Sequence, residues 1–271
     1  RTGVDPGGRL SALFADIAPW SLAFSCAMAL LAGLIDAMVG GGGMIQVPAL
    51  FNALPGMPPA TVFGTNKFSA IAGTATASLR YARSIRIDWR IAAPASLAAL
   101  LCAFVGARMV AWLPVALARP LVLVLLVLMA LYTMRQKQLG AEHQPLADIW
   151  QIRRRALLMG AAIGFYDGFF GPGTGSFLLF ACVRWFGCDF LRASAIAKIV
   201  NLATNLAALA YFIPSGNVLY LFAVPMACCN ILGARIGSRL AVRGGAPLVR
   251  RLFLCLVWLL IARLIYDSLS G

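Results

Sequence analysis

Long apolar stretches, separated by short basic or glycine-rich stretches, run along nearly the whole chain. Five of the apolar stretches are about 20 residues long, which is the length of helix that crosses a lipid bilayer. They lie at residues 18–39, 90–112, 117–135, 217–240 and 247–269. This pattern predicts an all-α polytopic membrane protein whose main partner is the lipid bilayer.

Composition and charge exclude several other classes. Only 12% of the residues are charged, about half the share of a soluble domain. The net charge of +14 comes from Lys and Arg between the apolar stretches, as in cytoplasmic loops, so no nucleic-acid partner is expected. The seven cysteines lack metal-ligand spacing and the single histidine, His143, lies in a polar linker, so neither a metal nor another cofactor is expected. No intact signal peptide is recognisable either.

Two glycine-rich runs interrupt apolar stretches. Gly40–Met44 reads GGGGM and Gly171–Ser176 reads GPGTGS. Each glycine costs a helix about 1 kcal/mol relative to alanine, so both runs predict helix breaks. Each break joins two arms into a hairpin, formed either by two short spans or by a re-entrant loop. The arms are residues 18–39 with 44–54, and 155–170 with 175–187.

A shift of 131 residues aligns rare residues of the chain with one another. The aligned pairs include Gly33 with Gly164, Asp36 with Asp167, Gly40 with Gly171, Lys67 with Lys198, Pro94 with Pro225 and Arg119 with Arg250. Rare residues at one constant offset indicate two homologous halves. We expect an N-terminal segment at 1–17, a first repeat at 18–135, a cytoplasmic linker at 136–151 and a second repeat at 152–271.

Each repeat is expected to contain a glycine-broken hairpin followed by three transmembrane helices. The predicted helices are 60–82, 90–112 and 117–135 in the first repeat, and 190–212, 217–240 and 247–269 in the second.

The charges of equivalent loops indicate that the repeats have inverted topology. The loop after the first lysine-bearing helix carries Arg80, Arg83, Arg86 and Arg90, whereas the equivalent loop Tyr211–Asn217 carries no charge. Because Lys and Arg concentrate in cytoplasmic loops, the two loops are expected on opposite sides of the membrane. Each repeat then crosses the bilayer an odd number of times, and both chain termini face outside.

The paired glycine runs predict an anion-binding site. Non-helical backbone survives at membrane depth only when it is buried in protein or lines a watery cavity. Broken helices of secondary transporters point their N-terminal dipoles at anionic substrates. Close helix packing through small residues is the alternative explanation. The backbone groups expected to bind the anion belong to Gly40, Gly41, Gly42, Gly43, Gly171, Gly173, Thr174 and Gly175.

Two lysines at repeat-equivalent positions, Lys67 and Lys198, lie within otherwise apolar helices. A cation inside the membrane costs about 2.5–3.5 kcal/mol on insertion scales and is a functional-site hypothesis by default. Snorkelling to the headgroups is the alternative, but each lysine lies roughly 10 Å from its helix start. Both are therefore expected to neutralise an oxyanion. Neighbouring hydrogen-bond donors are Thr65, Asn66, Asn201 and Asn205.

An aspartate precedes each glycine run by four residues, Asp36 in the first half and Asp167 in the second. The dipole at a helix C-terminus opposes a carboxylate, so each should be protonated, paired with a lysine or bound to a cation. Two roles explain these aspartates: coupling to a proton or sodium ion, or a purely structural role in the turn. Tyr166, Phe169 and Phe170 could hold an organic tail, and core packing explains these rings equally well.

The chain resembles the sulfite exporter TauE/SafE family over roughly residues 20–265. In the first half the resemblance rests on GLIDAMVGGGGMIQVPAL, GTNKF and the RIDWR loop. In the second half it rests on GFYDGFFGPGTGSF and SAIAKIVNLATNL. The resemblance implies an ion-coupled transporter of the bacterial cytoplasmic membrane. Its implied substrates are sulfite or organosulfonates such as sulfoacetate and aryl sulfonates.

The sequence therefore predicts a secondary transporter that moves a small sulfur-containing oxyanion by alternating access. A passive anion channel could use the same hairpins and lysines. A non-transporting membrane scaffold would explain the helices but not the twin polar sites. An enzyme is not expected, because no Ser–Lys or Ser–His dyad stands out. The substrate's tail, the transport direction, the coupling ion and the oligomeric state stay open.

Overall fold

The computed structural model describes residues 19–110, 112, 124 and 148–270, and these contain eight α-helices and no β-strand. The first half contributes α1 (Pro19–Val39), α2 (Gly42–Ala53), α3 (Pro59–Ser84) and α4 (Trp89–Val110). The second half contributes α5 (Ile149–Phe169), α6 (Thr174–Phe186), α7 (Phe190–Phe212) and α8 (Tyr220–Ser270). The predicted all-α class is confirmed. The predicted N-terminal segment, nearly all of helix 117–135 and most of the linker fall outside the described residues.

The helix breaks lie at the glycine runs, as the sequence predicts. Gly40, Gly171 and Gly173 have φ angles of 83°, 87° and 85°, a left-handed conformation that side chains with a Cβ rarely adopt. The second arms α2 and α6 contain 12 and 13 residues. They are about 18–20 Å long, shorter than the roughly 30 Å hydrocarbon core of a bilayer, so neither can cross it alone.

The predicted bounds of three later helices agree with α3, α4 and α7 to within two residues. The arm predicted from residue 155 starts earlier, at Ile149, because the Asp148 side chain accepts a hydrogen bond from Trp150 N at 2.9 Å and caps α5. The prediction of separate helices at 217–240 and 247–269 is wrong, since α8 is continuous over these residues. Gly244 takes a helical conformation, which a glycine permits at a cost of about 1 kcal/mol.

Within the described ranges, four helices are long and apolar enough to cross a membrane. They are Trp20–Val39 of α1, Trp89–Val110 of α4, Phe190–Phe212 of α7 and Tyr220–Gly244 of α8. α3 is 26 residues long but carries many polar side chains, and those of Thr65, Asn66, Lys67 and Thr74 are buried. The molecule is therefore a multi-pass membrane protein whose polar helix faces point inward.

Helices of the two halves pack closely against each other at glycines. Gly33 of α1 lies against Asn230 of α8, and Gly237 of α8 lies against Leu34 of α1. The residues equivalent to these under the 131-residue shift make the same contacts between α5 and α4. There Gly164 lies against Ala99, and Gly106 lies against Phe165. Small residues of this kind let helix backbones approach closely in membranes. The first helix of each half thus packs on a later helix of the other half.

Candidate functional site

The two helix breaks contact each other in the protein interior. Ser176 N donates a hydrogen bond to Gly40 O at 3.2 Å, and Ser176 Oγ donates to Val39 O at 2.9 Å. A Cβ on Gly175 would lie 2.5 Å from Gly40 Cα, and one on Gly43 would lie 3.1 Å from Pro172 Cα. Only glycine allows backbones to approach this closely.

A small cavity lies between the helix breaks and the polar faces of α3 and α7. About 30 Å³ of it is accessible to a water molecule, which is far less than the roughly 300–1,000 Å³ of a typical ligand pocket. Eleven of the residues singled out from the sequence line it: Asp36, Gly40, Gly42, Gly43, Asn66, Lys67, Asp167, Gly171, Gly175, Asn201 and Asn205. The sequence-based selection therefore converges on one place in the fold.

Five other residues singled out from the sequence lie outside the lining of this cavity. Gly41 caps α2, and Gly173 caps α6 in the left-handed conformation. Thr174 Oγ1 donates to Gly171 O at 2.8 Å, and Thr65 Oγ1 accepts from Leu219 N at 3.0 Å. These four residues shape the surrounding backbone. The fifth, Lys198, reaches the cavity only through an aspartate.

Each buried lysine forms an ion pair with an aspartate of the other half. Lys67 Nζ lies 2.7 Å from Asp167 Oδ2, and Lys198 Nζ lies 2.7 Å from Asp36 Oδ2. The side chains of Lys67 and Asp167 are 4% and 2% exposed, and those of Lys198 and Asp36 are 1% and 18% exposed. Of the three states expected for the aspartates, the structure contains the lysine-paired one.

The two ion pairs differ in their surroundings. Asp36 accepts hydrogen bonds from Lys198 Nζ at 2.7 Å and from Gly42 N at 3.3 Å. The second donor belongs to the N-terminus of α2, where a helix favours negative charge. Asp167 Oδ2 is close to Lys67 but lacks hydrogen-bond geometry, and it has no hydrogen-bond partner among the described residues. The Asp36 carboxylate is thus the better solvated of the two.

Two amide side chains that sequence reasoning missed also line the cavity. Asn230 Nδ2 donates to Gln46 Oε1 at 3.0 Å and to Ala29 O at 3.1 Å. Gln46 Nε2 is buried without a hydrogen-bond partner in the described part of the chain, as is Asn66 Oδ1. Gln46 and Asn230 align with Phe177 and Ala99 of the other half, so a search for repeated polar residues passes over them. The signal available was a lone amide within an apolar helix.

The cavity wall is continuous with a polar contact between α3 and α7. Asn205 Nδ2 lies 3.4 Å from Thr74 Oγ1, and these two residues are equivalent under the 131-residue shift. Two equivalent residues that contact each other lie where the two halves meet. The cavity therefore borders the junction of the halves.

The aromatic rings considered for an organic tail are absent from the cavity lining. Tyr166 Oη donates to Pro172 O at 2.7 Å, which supports the second helix break. Phe170 packs against Phe63 and Phe169 with ring centroids 5.6 and 6.0 Å apart. Core packing, the alternative explanation, accounts for these rings.

The described residues contain no group of three or more His, Cys, Asp or Glu side chains that could hold a metal ion. The site contains two lysine ammonium groups, each paired with an aspartate, together with side-chain amides and the glycine backbone of the helix breaks. The ammonium and amide N–H groups are hydrogen-bond donors, the type of group that binds an anion.

Comparisons with known proteins identify the family to which the chain belongs. The family described as sulfite exporter TauE/SafE matches residues 25–264. A probable membrane transporter protein of Haemophilus influenzae is 34% identical, with 91% of this chain and 95% of that protein aligned. Probable membrane transporter protein ORF9 of a Sinorhizobium species is 35% identical, with 93% of this chain and 95% of that protein aligned. Probable membrane transporter protein YfcA of Escherichia coli K12 is 33% identical, with 93% of this chain and 92% of that protein aligned. No solved structure gives a significant match. The resemblance seen in the sequence motifs is confirmed, and the chain belongs to the sulfite exporter TauE/SafE family of membrane transporters.

Proposed function

We propose that this protein is a secondary transporter that moves a small sulfur-containing oxyanion, sulfite or an organosulfonate, across the bacterial cytoplasmic membrane. The observation that carries this proposal is the convergence of three features on one cavity: Lys67, the Gln46 amide donor that has no partner among the described residues, and two glycine-lined helix breaks. A buried site with this donor set favours a negatively charged ligand. The family match supplies the sulfur oxyanions as the substrates to test first.

The anion binds beside Lys67, between the helix breaks, with Asn201 and Asn205 as further donors. Lys198 adds positive charge behind Asp36. Because the accessible volume of the cavity is small, the proposed cycle requires that the helix breaks move apart to admit the anion. Within that proposal, the arrangement described here is the closed state.

The proposed cycle moves one inverted repeat, 18–135, against the other, 152–271. The glycine contacts between α1 and α8 are equivalent, under the 131-residue shift, to those between α5 and α4, and this equivalence supports a two-fold relation between the halves. The contact of Thr74 with its own equivalent, Asn205, supports it as well. In this arrangement the linker 136–151 is cytoplasmic and both termini are outside.

Coupling to a proton or sodium ion follows from the charge of the site. Two lysines and two aspartates sum to zero. Adding an anion to this neutral buried site would leave an uncompensated charge, which is costly at low dielectric. A cation that enters with the anion, bound at Asp36 or Asp167, removes that cost.

Uptake into proteoliposomes tests the proposal. Sulfite, thiosulfate, sulfoacetate and an aryl sulfonate are compared for saturable uptake. Lys67→Ala and Lys198→Ala should each abolish uptake of the transported anion in protein that still melts cooperatively. Arg86→Ala, which removes an exposed loop cation, is the matched control and should transport normally. Flux that grows linearly with the gradient would identify a channel, and the absence of both flux and anion-dependent thermal stabilisation would favour a scaffold.

A further inference from the structure

We propose that the two crossed ion pairs have different roles, and that Asp167, not Asp36, is the carboxyl group that takes up a proton. Asp36 stays ionised as the fixed partner of Lys198. This assignment rests on the proposed function, because it concerns the same cavity and names the coupling ion as a proton.

The surroundings of Asp36 favour its charged form. Its two carboxylate oxygens accept hydrogen bonds from two different helices, through Lys198 Nζ and Gly42 N. A Cβ on Gly42 would lie 2.6 Å from Asp36 Cβ, so the side chain is tightly enclosed by the helix break. Protonation would weaken a charge-assisted bond and the interaction with the α2 N-terminus together. The Asp36–Lys198 ion pair therefore stays intact and stabilises the backbone of the first helix break.

Asp167 lacks this support. Among the described residues, Lys67 is the one ion partner of Asp167 Oδ2, without hydrogen-bond geometry, and the Asp167 side chain is 2% exposed. At the nearby N-terminus of α6, Thr174 N donates to Gly171 O and Ser176 N donates to Gly40 O, so neither of these N–H groups is available to Asp167. A buried carboxylate that is paired with one cation is the one to become neutral when that cation binds another anion.

Other groups around Asp167 do not replace Lys67. α4 packs along α5 through Ala95, Ala99 and Ala103, none of which can titrate. On α5 itself, the Tyr166 hydroxyl group is already bound to Pro172 O. The remaining charged residues at the site are Asp36 from α1 and Lys198 from α7, which are paired with each other.

The exchange balances in atoms and charge. A proton from water on the open side binds an Asp167 oxygen, and Lys67 keeps its own proton and its positive charge. A monovalent anion then takes the place of the carboxylate beside the ammonium group. One proton and one anion have entered, so the net charge of the site is unchanged. Lys67 Nζ would lie 3.4 Å from a Cβ on Gly171, so its release directly affects the second helix break.

Infrared spectroscopy of the protein in liposomes tests this assignment. Difference spectra between neutral and acidic pH report the C=O stretch of each carboxyl group that gains a proton. We expect one band to be absent from Asp167→Asn and present in Asp36→Asn. Exposed carboxyl groups are common to all samples and cancel between the variants. A band lost in Asp36→Asn, or no band assignable to Asp167, would overturn the inference.

A second arm separates this inference from the proposed function. Methanesulfonate, the anion of a strong acid, is added at constant pH and should increase the Asp167 band in the wild-type protein. If neither methanesulfonate nor sulfite increases a band that does belong to Asp167, anion binding at Lys67 is refuted and Asp167 remains the titrating group.

Lys67→Gln and Lys198→Gln provide an independent test in case the aspartate variants misfold. Removing Lys67 takes away the cation that the described structure pairs with Asp167, so the C=O band of Asp167 should appear already at neutral pH. Removing Lys198 leaves the Gly42 N–H bond to Asp36, so no band should appear there. The opposite pattern would contradict the different roles of the two pairs.

Discussion

Single side chains around the cavity decide whether it can hold an anion, and Gln46 is the clearest case. Its Nε2 group is buried beside the cavity without a partner in the described structure, which costs about 1–3 kcal/mol unless a ligand accepts the bond. We expect Gln46→Met to weaken anion binding about tenfold, a loss of about 1.4 kcal/mol. Titration of the anion by thermal shift measures this.

Gln46→Glu is the matched variant, because it keeps the shape of the side chain and adds a negative charge. It should abolish binding, since the added carboxylate in the cavity repels the anion. Equal affinities of the wild-type, Met and Glu proteins would remove Gln46 from the site.

The buried pair Lys67–Asp167 provides a second test at the scale of residues. Lys67→Ala leaves a buried carboxylate unpaired, which costs about 3–5 kcal/mol of unfolding free energy. Adding Asp167→Asn to Lys67→Ala should recover part of this loss. The exposed pair Arg90–Asp88, with side chains 60% and 28% exposed, is the control and should contribute less than about 1 kcal/mol. Double-mutant cycles of chemical or thermal unfolding measure both values, and equal coupling energies would show that burial is irrelevant.

The sequence predicts much of this site because of its residue types, and fails where only one half carries the signal. Lys67, Lys198 and the aspartates stand out because charges are rare within apolar helices and recur at one offset. Which lysine pairs with which aspartate depends on the crossing of the halves, and no local pattern encodes that. Asn230 was missed for a related reason, since its equivalent, Ala99, carries no polar group.

At the scale of elements, the helix breaks depend on glycine for two separable reasons. Gly40 and Gly56 share nearly the same left-handed backbone, with φ of 83° and 82°. A Cβ on Gly40 would collide with Gly175 and Ser176, whereas one on Gly56 would meet nothing within 4 Å. Gly56→Ala should therefore cost only the backbone strain, about 1–2 kcal/mol.

Gly40→Ala should lower the melting temperature much further, because the two helix breaks must also separate. Transport by any Gly40→Ala protein that folds should be lost. Equal melting temperatures for the two variants would show that contact between the helix breaks contributes nothing to stability.

Helix boundaries were predictable where a cap or a break marks them. The Gly40 and Gly171 breaks are such marks, and so are the starts of α3, α4 and α7. The continuous helix α8 was not predicted, because a pair of glycines followed closely by a proline, as in the GGAP sequence of residues 244–247, is typical of an interruption. In α8, the helical segments on both sides of these residues extend through them despite their low helix propensity.

For the whole molecule, inverted topology makes a prediction about sidedness. Arg86 and Ser215 are both exposed and lie in equivalent regions of the two halves. In a protein freed of its native cysteines, Arg86→Cys should react with an impermeant thiol reagent only from the cytoplasmic side. Ser215→Cys should react only from the outside. Labelling of both cysteines from the same side would mean that the halves are parallel.

The crossed ion pairs also have a consequence for how the protein is made. Asp36 and Lys67 enter the membrane with the first half, and their partners Lys198 and Asp167 belong to the second half. At about 5–20 residues per second of synthesis, roughly 5–30 s separate each residue from its partner. During that interval the first half of the chain lacks the partners with which its buried charges pair in the folded protein. Formation of both ion pairs is therefore a late step of biogenesis, because each pair requires both halves of the chain.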